Sequence, residues 1–208
     1  MGGIMNGKEE KWLDALRRTA AMSGDAGLIL QGVADGALSV EEGEEQMRAL
    51  TEEYRGPALA LREKAVRAFP GRSEDAAAHL LSDAVCALLP AADALAERLR
   101  LCPDEADEKR MLMTELAARA LREWARLAVY DPAEAADAAR AAARAQKIRN
   151  YEARGRDGYL DGVSALYRGN ESPLSVLAEK DVYDACRQVL RLAADAAGLY
   201  EECVSSMR

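Results

Sequence analysis

The sequence predicts an all-α fold, a bundle of six helices. Three observations lead there. Apolar residues recur at helical spacing through most of the chain. The stretches between those runs carry Pro, Gly and helix-capping residues. No segment alternates apolar and polar residues as a half-buried strand does. Composition agrees, because half the residues are apolar while only 5% are aromatic. Small and aliphatic side chains suit close helix packing better than a sheet sandwich. The 208 residues suffice for one medium domain. We read a single domain over 1–208, with helices 1–3 over about 8–102 and helices 4–6 over about 105–207.

Residues 1–7 read as a loose tail. The first helix is expected from Lys8 to about Asp35, carried by Trp12, Leu13, Leu16, Ala20, Leu28, Leu30 and Val33. Gly24, Gly27 and Gly32 weaken it and suggest a break near Ser23–Asp25. Gly36-Ala37-Leu38 is a turn, and Ser39-Val40-Glu41-Glu42 forms a capping box. There the Ser oxygen accepts from a free helix N–H and Glu42 reaches back. Helix two then runs from Val40 to about Ala68, with a kink expected at Pro57.

Phe69-Pro70-Gly71-Arg72 is the next turn and Ser73 the next cap. Helix three extends to about Leu101, with a second kink at Pro90. Helix four covers Glu105 to Val129. Asp131-Pro132-Ala133-Glu134 then places Asp at the cap, Pro at the first helical position and Glu at the third. Helix five runs from there to Tyr167. Helix six follows Ser172-Pro173, with a short turn at 174–178 expected to be offset from a long run over Asp181–Ser205.

The chain also repeats itself weakly. A shift of 101 places Met47, Leu50 and Arg55 on Ile148, Tyr151 and Arg156. A shift of 102 places Leu88 on Leu190, and Ala91-Ala92-Asp93-Ala94 on Ala193-Ala194-Asp195-Ala196. The repeat divides the chain into helices 1–3 and helices 4–6.

Charge and cysteine usage narrow the function. A net charge of −8 argues against general nucleic-acid binding, which needs a basic face. Cys86, Cys102, Cys186 and Cys203 form no CxxC pair, and each lies in an apolar helical context. Four free thiols in a reduced, cytoplasmic protein are the expectation. The first residues lack the apolar core of a signal peptide. The longest charge-free apolar run inside the helices, Ala84–Ala92, is far shorter than the roughly 20 residues of a membrane span. No GxSxG, P-loop, GxGxxG or HExxH occurs, so no catalytic residue and no cofactor is expected.

The last 60 residues carry a family resemblance. Tyr151-Glu152 begins helix five's motif and Leu166-Tyr167 closes it. Asn170-Glu171-Ser172-Pro173-Leu174 follows as a turn, and Asp181-Val182-Tyr183 opens the long part of helix six. In the first half, Phe69-Pro70 and Ser73-Glu74-Asp75 fit the corresponding turn. This pattern resembles the PhoU-like proteins, in the branch of phosphate-transport regulators associated with Pit-type transporters. The resemblance covers about residues 8–207 in outline. It implies a six-helix bundle of two tandem three-helix halves. It also implies a non-enzymatic accessory or regulator of phosphate transport, working by protein–protein contact at the inner face of the membrane. Helices of 30 residues, about 45 Å long, would present such a face. Two other readings remain: a stand-alone metal- or anion-binding bundle, and a purely structural homodimer.

Members of that family often carry (E/D)xxxD pairs, which place two carboxylates on one helix face for a cation. Here Glu152 is followed at i+4 by Arg156, the first-half positions hold Thr51 and Arg55, and helix six has Arg187 and Arg191. In helix three the corresponding places hold Ala84 and Leu88. An arginine repels a cation, so the resemblance implies that the family's multinuclear metal site is absent. Arg55, Arg156, Arg187 and Arg191 are instead candidates for binding an anion such as phosphate, against simple salt bridges with Glu52, Glu152 or Asp157. Asp75, His79 and Asp83, at i, i+4 and i+8, are the residual candidates for a lone metal ion. Trp12, Trp124, Met111 and Met113 read as core or dimer packing.

Overall fold

The computed structural model describes residues 7–71, 76–102, 108–131, 135–169 and 172–206. These form six α-helices: α1 Gly7–Ala34, α2 Val40–Ala68, α3 Ala76–Leu101, α4 Glu108–Leu127, α5 Ala135–Arg168 and α6 Pro173–Ser206. No strand occurs among the described residues. The N-terminal tail, the Ser73 cap, Asp75 and the Pro132–Glu134 helix start lie outside them.

Local chemistry accounts for the clearest boundaries. The Glu42 N–H donates to the Ser39 hydroxyl at 3.1 Å, and the Ser39 N–H donates to the Glu42 carboxylate at 2.8 Å. The box satisfies two backbone donors that a helix start otherwise leaves open. Before it, Gly36 sits at φ 69°, the left-handed conformation that ends helices cheaply in glycine. At the start of α6 the Ser175 N–H donates to the Ser172 hydroxyl at 3.1 Å, with Pro173 at the first helical position. Pro57 and Pro90 lie inside α2 and α3.

Two expectations are corrected. The predicted break near Ser23–Asp25 is absent, because α1 is continuous through it. A Cβ on Gly24 would stand 2.8 Å from the Cβ of Ala125, and one on Gly27 would stand 2.7 Å from the Ala118 carbonyl. These glycines therefore serve close approach of α1 and α4. The offset predicted at 174–178 is absent too, since α6 is one helix from Pro173 to Ser206.

The helices α1, α4, α6 and α3 pack in a ring, each against the next. Helix α2 lies on α1 and α3, and α5 lies on α4 and α6. The buried residues form one core. Trp12 meets Phe69 edge-to-face with ring centres 4.9 Å apart, and its indole N–H donates to Ser82 at 2.9 Å. The Tyr54 hydroxyl donates to the Val85 carbonyl at 2.9 Å, and the Tyr200 hydroxyl to the Tyr130 carbonyl at 2.7 Å. Trp12, Tyr54 and Tyr200 thus each have their polar tip satisfied, whereas the buried Trp124 indole N–H has no such partner among the described residues. Trp124 and Met113 are buried as well, whereas Met111 is only half-buried.

Among the described residues α3 is the one helix long and apolar enough to cross a membrane by length and composition. In this fold its apolar side faces α1, α2 and α6, with Leu81, Val85, Leu88, Leu89 and Leu95 fully buried.

Candidate functional site

The site is built on the α5–α6 contact. A Cβ on Gly155 would run into the Leu190 side chain, and one on Gly162 would stand 2.5 Å from the Tyr183 ring. The two glycines let α6 side chains press against the α5 backbone. Tyr159 lies one turn after Gly155 and meets α6 at the rim of this contact. The Arg187 guanidinium lies over its ring, 4.8 Å from the centroid, a cation–π geometry. Beside it a surface recess of about 440 Å³ is lined by Asp184, Arg187, Gln188 and Arg191. Lys180 pairs with Asp184. The Asp184 carboxylate nearby pushes the Tyr159 phenol above its ordinary value.

The four candidate arginines therefore fall into groups. Arg187 and Arg191 share the recess. Arg156 lies on α5 with its Nε 4.0 Å from Asp157, an exposed contact of little energetic weight. Arg55 lies on α2, paired with Glu52 at 2.9 Å. Helix α2 packs on α1 and α3, whereas α5 packs on α4 and α6, so Arg55 stands on the other flanking helix.

The residual metal candidates are engaged elsewhere. The His79 Nε2 donates to the Phe69 carbonyl at 2.7 Å, which ties the start of α3 to the end of α2. A carbonyl only accepts, so this nitrogen carries the proton. Asp83 accepts from the Arg62 Nε at 2.9 Å. Asp75 lies outside the described residues. Among the described residues no three His, Cys, Asp or Glu side chains group closely enough to hold a metal ion.

The ionic ties between helices were not anticipated. Arg110 on α4 pairs with Glu179 on α6, both buried, and a second Arg110 contact reaches the Cys102 sulfur at 2.7 Å. Glu123 is buried on α4. It accepts from Arg144 at 2.6 Å and Arg126 at 2.7 Å, with Lys147 at 3.5 Å. The signal was present in the sequence: Glu123 stands in a helical stripe with Ala120, Leu121 and Trp124, where a charge needs a partner. The four cysteines are free thiols. Cys86, Cys186 and Cys203 are buried and Cys102 is half-buried.

Comparison with protein-family models and with curated proteins returns no match.

Proposed function

We propose that this chain is a PhoU-like helical protein, a non-enzymatic accessory or regulator of phosphate transport that acts by contact. Two tandem three-helix halves are its architecture. Exchanging α1 with α4, α2 with α5 and α3 with α6 maps the set of helix contacts onto itself, which supports that division. Burial supports it too, at a single spacing of 101. Buried Trp12, Leu16 and Ala20 correspond to buried Met113, Ala117 and Leu121; Met47, Tyr54 and Leu61 correspond to Ile148, Gly155 and Gly162; Leu81, Val85 and Leu89 correspond to Val182, Cys186 and Leu190. At this proposed spacing Arg187 and Arg191 stand opposite Cys86 and Pro90 rather than Ala84 and Leu88.

One observation carries the contact mechanism. The exposed residues Arg55, Leu59, Val66 and Arg67 on α2 recur at the same spacing as Arg156, Leu160, Tyr167 and Arg168 on α5, all exposed. Leu59 and Leu160 are each 59% exposed, and Val66 and Tyr167 are 63% and 66% exposed. Folding gains little from large apolar side chains in water, so their recurrence on both flanking helices favours docking. Leu59 and Val66 lie two helical turns apart, as do Leu160 and Tyr167, the spacing at which a partner helix meets knobs on one face. The partner is a phosphate transporter of Pit type or its membrane-associated components, and the site of action is the cytoplasmic face of the membrane.

Co-purification from detergent with a Pit-type transporter tests this reading. Wild-type chain is expected to co-elute, and L59E/L160E to lose at least ten-fold in retention while keeping its helical content. A wild type that elutes apart from the transporter, or a double variant retained equally, overturns it.

A further inference from the structure

We infer that the α6 recess beside Tyr159 is an anion-binding site, in which Arg187, Arg191 and Gln188 take a phosphate-type oxyanion. Arg187 and Arg191 stand one helical turn apart and line the same recess. Like charges at that spacing oppose each other on a helix. Among the described residues neither has a carboxylate ion-pair partner, although sixteen ion pairs tie up other cations of the chain. The recess does contain a carboxylate, Asp184, but Lys180 pairs with it. Asp195, one turn beyond Arg191, makes no ion pair with it. An anion between the two guanidinium groups would relieve their repulsion.

Tyr159 holds the Arg187 guanidinium over its ring. A planar fork fixed in this way loses less freedom on binding and matches the oxygens of a phosphate. Gln188 adds an amide donor. The volume of about 440 Å³ leaves space for a phosphate and a substituent on it.

The corresponding place in the first half argues that this is a built feature. There Ala58 stands for Tyr159 and Cys86 for Arg187. That pair also touches, since the Cys86 thiol donates to the Ala58 carbonyl at 3.4 Å, and both residues are buried. Asp83, which stands for Asp184, is taken by Arg62. One half closes this contact with two small side chains. The other opens it with an aromatic ring and a cation. Among the described residues the first half thus offers no counterpart of this recess, and the site is distinct from the docking stripes of α2 and α5.

Free phosphate and the phosphate of a lipid headgroup share this chemistry, and two probes separate them. Inorganic phosphate is titrated into the full chain by calorimetry at low ionic strength, and binding to phosphatidic-acid vesicles is measured by sedimentation. Saturable binding of at least one probe is expected, weakened ten-fold or more in R187Q/R191Q and unchanged in R154Q, an exposed arginine of α5 outside the recess. Saturation by phosphate assigns free anion; saturation by vesicles alone assigns a headgroup. Both substituted side chains are exposed, so the double variant is expected to keep the wild-type Tm. As a second variant, Y159A, which removes the support of Arg187 without removing charge, is expected to weaken binding about three-fold. Wild-type binding by R187Q/R191Q, or no saturation by either probe, overturns the proposal. Co-purification with the transporter is a separate readout, so the two readings fail separately.

Discussion

Cys86, Cys186 and Cys203 sit in the core, and burial pushes each thiol up, Cys186 and Cys203 to about 12. Thiolate is the reactive form, so these three are expected to be inert in the folded chain. Ellman titration of native protein is expected to label Cys102 alone, and four thiols after unfolding without reductant; fast native labelling of two or more would contradict the burial. Glu123 behaves in the opposite sense. Burial alone would push it up, but hydrogen bonds from Arg144 and Arg126 outweigh burial and hold the carboxyl below its ordinary 4.5. A carboxyl depressed in the fold contributes stability above its unfolded-state value and loses it as pH falls through the folded value. E123Q is therefore expected to lower stability at pH 7 by about 1–2 kcal/mol, a figure reduced for partners that are half-exposed. It should also flatten the loss of stability below about pH 4.5, as urea denaturation at several pH values would reveal. Of the candidate site, the sequence made Arg187 and Arg191 legible, because an arginine pair at i, i+4 is a local pattern. Tyr159 was not, because its role depends on which helix it faces.

At the scale of the element, α2 was legible to both ends, Val40 and Ala68, because Ser39 and Glu42 carry their own capping chemistry. The break expected in α1 failed for the opposite reason. The low helix propensity of Gly24 and Gly27 is a local term, and α4 packed against them overrides it. The same logic separates the glycines of the second half. Under the proposed two-half repeat, Leu61 and Ser82 stand where Gly162 and Tyr183 do, so the large side chain comes from α2 in one half and from α6 in the other. Adding a methyl at Gly162 would press it into the Tyr183 ring, and G162A is expected to cost about 1–3 kcal/mol. Gly198 lies inside α6 with nothing within 4 Å of an added Cβ. G198A is expected to stabilise by up to about 1 kcal/mol, because alanine restricts the unfolded chain and favours helix. Thermal unfolding of the two variants distinguishes the cases: opposite shifts in Tm support the assignment, and equal shifts would refute it.

For the whole molecule, the decisive contacts run between the halves. Helix α1 packs on α4 and α3 packs on α6. Leu16, Ala20, Leu30, Ala117, Leu121, Leu127, Leu88 and Val189 are buried with almost no exposure. A half on its own would expose the faces of two helices to water, and three helices with one side uncovered bury too little apolar surface to offset chain entropy. Small residues sharpen the dependence. Gly24 and Gly27 bring α1 against Ala118 and Ala125 of α4, and close packing of that kind loses its contacts outright when the partner leaves. Fragments 1–102 and 108–208, produced separately, are therefore expected to keep part of their helix but to unfold without a sharp transition. Mixing them is expected to restore cooperative unfolding as a one-to-one complex, because every contact apart from the intervening linker is present. Circular dichroism melts of each fragment and of the mixture decide it: a cooperative melt in either fragment alone would mean that each half carries its own sufficient core, and that the shared ring of α1, α4, α6 and α3 is a docking of two domains.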